Sequence, residues 1–342
     1  MEGLRTLEDI ARFLDLAGPQ ARYKGIRHAL QDAFQPWDRA ELLAARDADE
    51  DVGRNEKVAS ELSRAGGLEE IAASAAGRCE QGLRVLEETA KFLYPSSAAR
   101  IESLRYQVYD LNAAVQLVLK RDLEFLNRAQ LYVLVDCRLP LDSFLKRIVS
   151  ISESGVDLIQ VRDKTAEAMV LIEYANAAVD ALDRNRTRVI VNDRIDVAHC
   201  SKAWGAHVGQ EDIPPEAARR LLRGQQVLGL STHDLNQIEI AVAERVDYLG
   251  CGPTFPSQTK AFSQFAGLDF LAQAVGWFDK YELGRPPAFA IGGITPGNLQ
   301  HVLVTGFDRI AVSSCVWNAT DPAAVAAILK EKLMAKRDGR GT

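Results

Sequence analysis

The stretch Leu131-Tyr-Val-Leu-Val-Asp-Cys-Arg-Leu-Pro140 decides between the two α/β folds that fit the second part of the chain. Its first five residues are apolar and rich in β-branched and aromatic side chains, which predicts a short buried strand. A dinucleotide-binding sheet would place a G-x-G-x-x-G turn directly after this strand. The chain has Asp136-Cys-Arg-Leu-Pro140 there, so an open doubly wound sheet is the weaker alternative.

Seven further runs of this kind follow, and stretches with helical spacing separate them. The eight expected strands are Leu131–Val135, Asp157–Val161, Arg188–Val191, Gly205–Val208, Val227–Leu230, Asp247–Gly250, Ala288–Ile291 and Arg309–Val312. Strands that alternate with helices form a parallel sheet. Eight such units over about 210 residues predict a compact (β/α)8 TIM barrel, a fold that typically takes about 250 residues.

The chain before the barrel has a different periodicity. Up to Asn127, apolar residues recur at helical spacing, as at Leu104, Val108 and Leu111, and no run alternates with period two. We therefore expect an all-α domain at residues 1–127, the barrel at residues 128–336 and a disordered tail at residues 337–342. The fold class is α/β, with the TIM barrel preceded by the all-α domain.

An internal repeat occupies the helical part. Residues 3–14, GLRTLEDIARFL, and residues 82–93, GLRVLEETAKFL, are identical at 8 of 12 positions. A second helical stretch with an arginine follows each copy, around Arg27 and Arg105. The repeat predicts two related helical pairs that pack together.

Composition and charge exclude several classes of protein. The chain has 342 residues, of which 47% are hydrophobic and 26% charged, as in soluble globular proteins. The formal net charge is -6, which disfavours a broad basic face for nucleic acid or anionic membrane. Residues 1–127 hold 17 basic and 22 acidic side chains, whereas residues 128–342 hold 24 and 25. The acidity therefore belongs to the helical part.

Cysteine usage and the N-terminus predict a cytoplasmic protein. The five cysteines are scattered without a C-x-x-C pair, which favours a reducing compartment over a disulfide or zinc framework. The first residues contain early acidic side chains and no apolar signal segment. No stretch approaches the roughly 18 apolar residues of a membrane span.

Polar side chains follow the expected strands, where a TIM barrel gathers its catalytic residues. Gln160, Arg162 and Lys164 alternate after the second strand and share one face, so they suit an anion with several oxygens such as diphosphate. A salt-bridge cluster at the barrel rim that involves Asp163 is the alternative.

Two carboxylates follow the next two strands. Asp193 and Asp212 lie on neighbouring loops beside the cationic cluster, and such a pair suits Mg²⁺ bound together with substrate phosphate oxygens. Structural alternatives are an ion pair of Asp193 with Arg194 and a helix cap formed by Asp212 before Pro214.

The remaining strand ends offer small and hydroxyl-bearing residues. Ser231 suits ligand contact or helix capping, and the loop of residues 250–260 is long for a mere connector. Loops after the seventh and eighth strands of a TIM barrel commonly bind phosphate, and here they carry Gly293, Ser313 and Ser314. Two different anion sites predict two phosphorylated small-molecule substrates.

The histidines and cysteines give no further chemistry. His207 and His233 match no zinc spacing, so we expect local hydrogen bonds or cavity-lining roles for both. Cys251 and Cys315 are expected to pack near strand ends without an activated thiol.

Five motifs in order resemble the thiamine phosphate synthase family over about residues 130–332. They are Gln160-x-Arg162-x-Lys164, Asn192-Asp193-Arg194, His207-x-Gly209-Gln210-x-Asp212, Gly252-Pro253 through Thr259-Lys260, and Ile291-Gly292-Gly293-Ile294. The resemblance implies that hydroxymethylpyrimidine diphosphate joins a thiazole phosphate, or its carboxylated form, to give thiamine phosphate and diphosphate. It also implies that the diphosphate bond breaks first to a pyrimidine cation.

Residue roles carry over where the motifs match. The pyrimidine diphosphate would contact Gln160, Arg162, Lys164, Asn192, Ser231 and Lys260, of which Arg162, Lys164 and Lys260 would be catalytic. The thiazole phosphate would contact Ser257, Thr259, Gly293, Ser313 and Ser314, and Asp193 and Asp212 would bind Mg²⁺. Asp163 and Ser257 stand where the family often has Glu and Thr, which retains a carboxylate and a hydroxyl.

The helical part is similar to a domain fused to thiamine phosphate synthases in some bacteria, through Arg46-Asp47, Asp51-Val52-Gly53 and the segment Gly82 to Glu87. A role as a replacement pyrimidine phosphate kinase is attached to that family, yet the sequence has no P-loop or kinase signature. The alternative is a docking or dimerisation domain, which would make the protein a homo-oligomer.

Two rival functions remain for the barrel. A thiazole tautomerase resembles the synthase in fold and binds the thiazole phosphate, but it would not need the diphosphate cluster. A thiamine-precursor sensor would bind thiazole phosphate without turnover.

Overall fold

The computed structural model describes residues 1–14, 16–35, 37, 67–119, 123–256, 266–280 and 286–339. The chain forms two compact units, Met1–Arg121 and Asp122–Thr342. The second unit starts earlier than the predicted boundary at residue 128, because Phe125 and Leu126 pack with barrel residues. Among the described residues, none of the helices is long and apolar enough to cross a membrane.

The described part of the first unit is helical. Its helices are α1 (Glu2–Phe13), α2 (Ala17–Ala33), α3 (Gly67–Leu93) and α4 (Pro95–Leu119). The two repeat copies lie on α1 and on the second half of α3, and α1 packs against α2 as α3 packs against α4. The prediction of two helical pairs is therefore confirmed.

Each helical pair contains an equivalent ion pair. Glu8 of α1 accepts a hydrogen bond from Nε of Arg27 at 3.0 Å, and Glu87 of α3 accepts one from Nε of Arg105 at 2.6 Å. Both carboxylates occupy the same position of the repeat. The Glu87 pair is almost completely buried, whereas the Glu8 pair is partly exposed.

The second unit begins with α5 (Leu123–Arg128) and continues as a closed parallel barrel. Its strands are β1 (Leu131–Val135), β2 (Leu158–Val161), β3 (Arg188–Asn192), β4 (Gly205–Val208), β5 (Val227–Thr232), β6 (Tyr248–Cys251), β7 (Ala288–Ile291) and β8 (Ile310–Val312). The outer helices are α6 (Leu141–Glu153), α7 (Ala168–Ala181), α8 (Ile195–Cys200), α9 (Pro215–Leu221), α10 (Leu235–Ala243), α11 (Gly267–Phe278), α12 (Leu299–Val304), α13 (Ser314–Trp317) and α14 (Pro322–Arg337). Each strand lies within two residues of its predicted bounds, and β8 pairs in parallel with β1. The (β/α)8 prediction is confirmed.

Alternate strand residues face two separate cores. One set, which includes Val133 and Ile159, packs outward against the helices. The other set, which includes Tyr132, Tyr248 and Phe289, fills the barrel interior together with Phe125 of α5. Because the interior is filled by side chains, space for a ligand remains only at the ends of the strands.

Acidic residues tie the amino-terminal ends of the strands together. Asp157, just before β2, accepts the backbone N–H of Leu131 at 2.9 Å and the Lys330 ammonium at 2.7 Å. Asp247, just before β6, accepts the N–H of Leu228 at 2.7 Å and Arg219 at 2.6 Å. These bonds satisfy buried donors and fix neighbouring strands at this end of the barrel.

The end of the chain differs in part from the predicted tail. Helix α14 continues through Arg337, the first residue of that segment. At the other end of this helix, the N-cap residue Asp321 accepts a hydrogen bond from the N–H of Ala324 at 2.9 Å. Residues 340–342 lie outside the described residues.

Candidate active site

A cavity of about 830 Å³ opens at the carboxyl ends of the strands. Most of the predicted site residues line it, namely Gln160, Arg162, Lys164, Asn192, Asp193, Asp212, Ser231, Gly293, Ser313 and Ser314. The structure therefore brings residues from several strand ends into one mouth, as the barrel geometry requires. Ser257, Thr259 and Lys260 lie outside the described residues.

The cationic arm of the site continues from β2. The N–H of Arg162 donates to the Val135 carbonyl at 2.8 Å, which extends the strand pairing and keeps Gln160 and Arg162 on one face. The Lys164 ammonium lies 4.0 Å from the Asp193 carboxylate, and both side chains remain partly exposed. Arginine and lysine at this position can bind an incoming anion.

Asp163 does not join the cationic arm. Its carboxylate accepts the N–H and the hydroxyl of Thr165 at 2.9 and 2.7 Å, and the N–H of Cys137 at 3.3 Å. Burial opposes ionisation, but these hydrogen bonds outweigh it and lower the pKa of Asp163. The alternative of a rim salt-bridge cluster around Asp163 is wrong, because its carboxylate accepts hydrogen bonds from its own loop and from Cys137 in the loop after β1, and within the described ranges it forms no ion pair.

Asp193 occupies a strained turn at the end of β3. The N–H of Arg194 donates to the Asn192 carbonyl at 2.6 Å, and Asp193 between them has a φ of 58°. The N–H of Asp193 donates to the His207 carbonyl at 2.7 Å, which fixes the turn against β4. Non-glycine residues rarely adopt positive φ, and such strain concentrates at functional sites. Arg194 pairs with Asp196 at 2.9 Å, so its predicted alternative pairing with Asp193 is wrong.

Asp212 lies opposite, in the loop after β4. Its Oδ2 accepts the N–H of Gly209 at 2.7 Å, and a Cβ at Gly209 would lie only 3.1 Å from that oxygen. Pro214, not Asp212, is the residue at the N-cap of α9. The helix-cap alternative for Asp212 is therefore wrong, and its carboxylate faces the cavity.

The two carboxylates influence each other. Burial, followed by hydrogen bonding and repulsion from Asp212, raises the pKa of Asp193 to about 6, while Lys164 and Arg162 act in the opposite direction. Close carboxylates of this kind attract a divalent cation. No group of three or more His, Cys, Asp or Glu ligands occurs among the described residues. The donor set fits Mg²⁺, which takes one or two carboxylates and completes its shell with phosphate oxygens and water.

The opposite rim consists of glycine and serine residues. Gly292 and Gly293 have φ values of 103° and 66°, and a Cβ on Gly293 would lie 2.8 Å from atoms of Phe255 and Pro256. The N–H of Phe255 donates to the Gly292 carbonyl at 3.0 Å, so the loops after β6 and β7 are joined. Both glycines are required by conformation and by this close approach.

Comparison with known proteins shows the family of the chain. A family model described as "Thiamine monophosphate synthase" matches residues 131–316. The chain belongs to this family. A second model, described as "ThiD2 family", matches residues 1–114, which confirms the resemblance of the fused helical part.

Similar proteins extend along both units of this synthase. A thiamine-phosphate synthase of Rhodopirellula baltica is 40% identical over 320 residues, covering 92% of this chain and 84% of the relative. One of Nostoc punctiforme is 34% identical and covers 97% of this chain and 90% of its own. The thiamine phosphate pyrophosphorylase of Pyrococcus furiosus superposes with a TM-score of 0.54 at 30% identity, covering 61% of this chain and 98% of that structure. The enzyme is therefore a transferase of the thiamine-phosphate synthase type.

Histidines of the synthase have the local roles expected of them. His207 and Ser231 share a hydrogen bond of 3.0 Å, and His233 bonds through Nδ1 to the Gly252 carbonyl. Burial lowers the pKa of His207 to about 4, so the ring is neutral. Burial likewise raises the pKa of Cys251 to about 12, which excludes an activated thiol there.

The floor of the synthase cavity contains residues that sequence reasoning missed. Gln160 Nε2 donates to the Tyr132 hydroxyl at 2.6 Å, and the hydroxyls of Tyr132 and Tyr248 share a hydrogen bond of 3.0 Å. Both tyrosines line the cavity together with Phe289. The period-two pattern places Tyr132 and Tyr248 inside the barrel, and this signal could have revealed them.

Proposed function

We propose that the protein joins hydroxymethylpyrimidine diphosphate to a thiazole phosphate, releasing diphosphate and forming thiamine phosphate. The observation that carries this assignment is the juxtaposition of Arg162 and Lys164 with the carboxylates of Asp193 and Asp212 in one cavity. A diphosphate leaving group needs cations and a metal site together. The glycine and serine rim on the other side supplies a separate place for a second phosphate.

Leaving-group stabilisation is the main task of the cationic side. Arg162 and Lys164, with Lys260 from the loop after β6, bind the diphosphate oxygens and stabilise the charge that develops on them. Asp193 and Asp212 hold Mg²⁺, which when bound supplies further charge neutralisation at the diphosphate. The carbon–oxygen bond breaks with its electron pair going to diphosphate, and a pyrimidine cation remains.

The pyrimidine ring occupies the floor of the cavity. Gln160, Asn192 and Ser231 offer amide and hydroxyl groups around it, and the rings of Tyr132 and Phe289 form an apolar surface below. An aromatic floor shields one side of the cation from attack by water. The thiazole nitrogen then forms the new bond to the cationic carbon.

The second substrate binds at the rim. Gly293, Ser313 and Ser314, with Ser257 and Thr259, hold the thiazole phosphate, in its simple or its carboxylated form. The reaction requires no protein nucleophile or strong base. A neutral, buried His207 agrees with this requirement, since positioning of two substrates supplies much of the acceleration.

For the first unit we propose a docking or dimerisation role. Phe13 and Phe92 occupy equivalent repeat positions, and both side chains are largely exposed, at 77% and 85%. Exposed aromatic residues at related positions favour protein contact over chemistry. Phosphorylation of hydroxymethylpyrimidine phosphate by the full chain with ATP would contradict this role and support the kinase alternative.

The decisive experiment combines both substrates with Mg²⁺ and measures thiamine phosphate, beside the same mixture with EDTA. Product that disappears with EDTA supports the synthase reaction and its metal. Thiazole isomerisation without condensation would indicate the tautomerase. Binding of thiazole phosphate without any turnover would indicate the sensor.

A further inference from the structure

A second cavity lies at the opposite end of the barrel from the active site. It measures about 210 Å³ and is formed at the amino-terminal ends of β3, β4 and β5. The active-site cavity contacts the carboxyl ends of the same strands through Asn192, His207 and Ser231. The two cavities are thus separated by the filled interior of the barrel, and the synthase reaction leaves the second one unused.

The lining of this second cavity is strongly cationic. Four of its side chains are basic, Arg184, Arg188, Lys202 and Arg223, and none of its lining residues is Asp or Glu. The barrel part of the sequence is otherwise balanced, with 24 basic and 25 acidic side chains over residues 128–342. The concentration of positive charge here is therefore local.

Aromatic rings hold one of these cations in place. The guanidinium carbon of Arg188 lies 5.0 Å from the ring centre of Phe125 and 5.6 Å from that of Trp204. The two rings meet edge to face at 5.5 Å. Cation–π contacts of this kind restrict the guanidinium before any ligand arrives, which reduces the entropy lost on binding.

A buried amide holds the walls together. Gln226 donates through Nε2 to the carbonyls of Ala198 and Ala203 at 2.7 and 2.9 Å, and its Oε1 accepts the N–H of Arg223 at 2.9 Å. The segments that carry Lys202 and Arg223 are therefore held in one arrangement. The cavity is therefore preformed, with walls held by hydrogen bonds.

Neighbouring carboxylates neutralise only part of this charge. Asp180 pairs with Lys202 at 2.6 Å, whereas Asp183 and Asp247 pair with Arg186 and Arg219, which do not line the cavity. Within the described ranges, Arg184 and Arg223 form no ion pair. Two exposed guanidinium groups at the mouth thus remain available for an anion.

We propose that this cavity binds a compact oxyanion of the phosphate class, such as inorganic phosphate or diphosphate. Guanidinium groups match the oxygens of phosphate in geometry and charge. The volume lies below the roughly 300–1,000 Å³ of sites for larger ligands, so a small anion fits better than a nucleotide. The site is independent of the proposed synthase reaction, because it lies at the other end of the barrel.

Trp204 lines the cavity and provides a direct readout. The chain contains four tryptophans, so ¹H–¹⁵N spectra of the full protein show four indole N–H signals, and Trp204→Phe identifies the one from Trp204. Titration with inorganic phosphate, and separately with diphosphate, is carried out without Mg²⁺ and at constant ionic strength. We expect a saturable shift of the Trp204 signal, and the affinities of the two anions identify the preferred one.

Substitutions in the second cavity test whether the anion binds there. Replacing both mouth arginines, Arg184→Ala with Arg223→Ala, should raise the Kd by about tenfold or more, equivalent to about 1.4 kcal/mol. Arg186→Ala is the matched control, because Arg186 is exposed and close in sequence but outside the cavity, and it should leave the Kd unchanged. Synthase activity should be the same in all three proteins.

Three results would overturn the proposal. One is a Trp204 signal that stays fixed up to millimolar phosphate and diphosphate. Another is an equal shift with sodium chloride alone, which would show a general salt effect. The third is an unchanged Kd in the double variant, which would place the anion elsewhere.

Discussion

Gln160 donates a hydrogen bond from Nε2 to the phenol oxygen of Tyr132, over 2.6 Å, in the floor of the active-site cavity. Both side chains are buried, and the Tyr132 hydroxyl is held in turn by Tyr248 at 3.0 Å. Gln160 lines the cavity, and this bond holds its amide in one orientation. We therefore expect Tyr132 to act as a positioning residue for the Gln160 amide in the proposed pyrimidine site.

Tyr132→Phe should weaken binding of the pyrimidine substrate. The ring and its packing remain, but the amide of Gln160 loses the partner that fixes its orientation. A lost hydrogen bond of about 1 kcal/mol corresponds to about a fivefold rise in KM for the pyrimidine diphosphate. Steady-state kinetics should show little change in KM for the thiazole phosphate.

Tyr248→Phe is the control for this effect. It keeps the bond between Gln160 and Tyr132 and removes a hydroxyl from the same buried layer, so its KM should rise less. Equal KM values for Tyr132→Phe and the unmodified protein would show that the amide of Gln160 is oriented by packing alone.

Much of the barrel follows from the sequence because its signals are local. A β-branched run such as that of β3 can be recognised from its own residues, and the polar residues at its end must then meet those of neighbouring strands. The partner of a charged side chain is harder to predict, because it depends on the geometry of the loop. The sequence allows Asp193 to pair with Arg194, but the positive φ of Asp193 directs its carboxylate towards Asp212.

The domain boundary is a second feature that local sequence signals do not predict. Helical spacing continues through Phe125 and Leu126, so periodicity assigns them to the first unit. Their burial against Tyr132 and Phe289 places them with the barrel. Only tertiary packing distinguishes the two cases, and no local pattern records it.

Asp193→Asn should raise the Mg²⁺ requirement of the reaction. The amide keeps the size of the side chain but removes one of the two carboxylate charges that fit the metal. We expect the half-saturating Mg²⁺ concentration to rise by at least about tenfold. Activity measured across a Mg²⁺ series at fixed substrate concentrations tests this.

Glu211→Gln is the matched control. Glu211 is exposed and lines the same cavity, next to Asp212 in the chain, but we assign it no metal role. Its Mg²⁺ curve should overlay that of the unmodified protein. A comparable shift in both variants would mean that general negative charge, rather than the Asp193 and Asp212 pair, governs the metal requirement.

Gly293→Ala should disturb the rim that we assign to the thiazole phosphate. Gly293 has a φ of 66°, and an added Cβ would lie 2.8 Å from Phe255 and Pro256. The joined loops must therefore shift, and we expect KM for the thiazole phosphate to rise more than KM for the pyrimidine diphosphate. The strain should also cost about 1–2 kcal/mol of stability.

Gly276→Ala is the control for Gly293→Ala, because it adds a methyl group where no strain is expected. Gly276 lies within α11, where an added Cβ meets nothing within 4 Å. Alanine favours the helix by about 0.5–1 kcal/mol, so this variant should be as stable as the unmodified protein or more stable. A Gly293→Ala variant that matched it in stability and in both KM values would contradict the conformational requirement at the rim.

Glu87→Gln should destabilise the first unit far more than Glu8→Gln, although the two residues are equivalent in the repeat. The side chains of Glu87 and Arg105 are both almost inaccessible to solvent, so neutralising Glu87 leaves the Arg105 charge without its carboxylate partner. The Glu8 pair is partly exposed and should contribute less. Trp37 stacks on Tyr94 at 4.5 Å and is the only tryptophan of residues 1–121, so its fluorescence reports urea unfolding of this unit when Trp204, Trp277 and Trp317 are replaced by Phe in all proteins compared.

The same pair makes the first unit sensitive to acid. Hydrogen bonds from Lys91 and then Arg105 lower the pKa of Glu87, although burial opposes this. The pKa of Glu87 is lower in the folded protein than in the unfolded chain. Ionised Glu87 therefore stabilises the fold fully above the ordinary glutamate pKa, and this stabilisation is lost as the pH falls through the folded-state pKa. The unmodified protein should therefore lose more stability between pH 7 and about pH 3 than Glu87→Gln does. Parallel stability curves for the two proteins over this range would show that other carboxylates control acid unfolding.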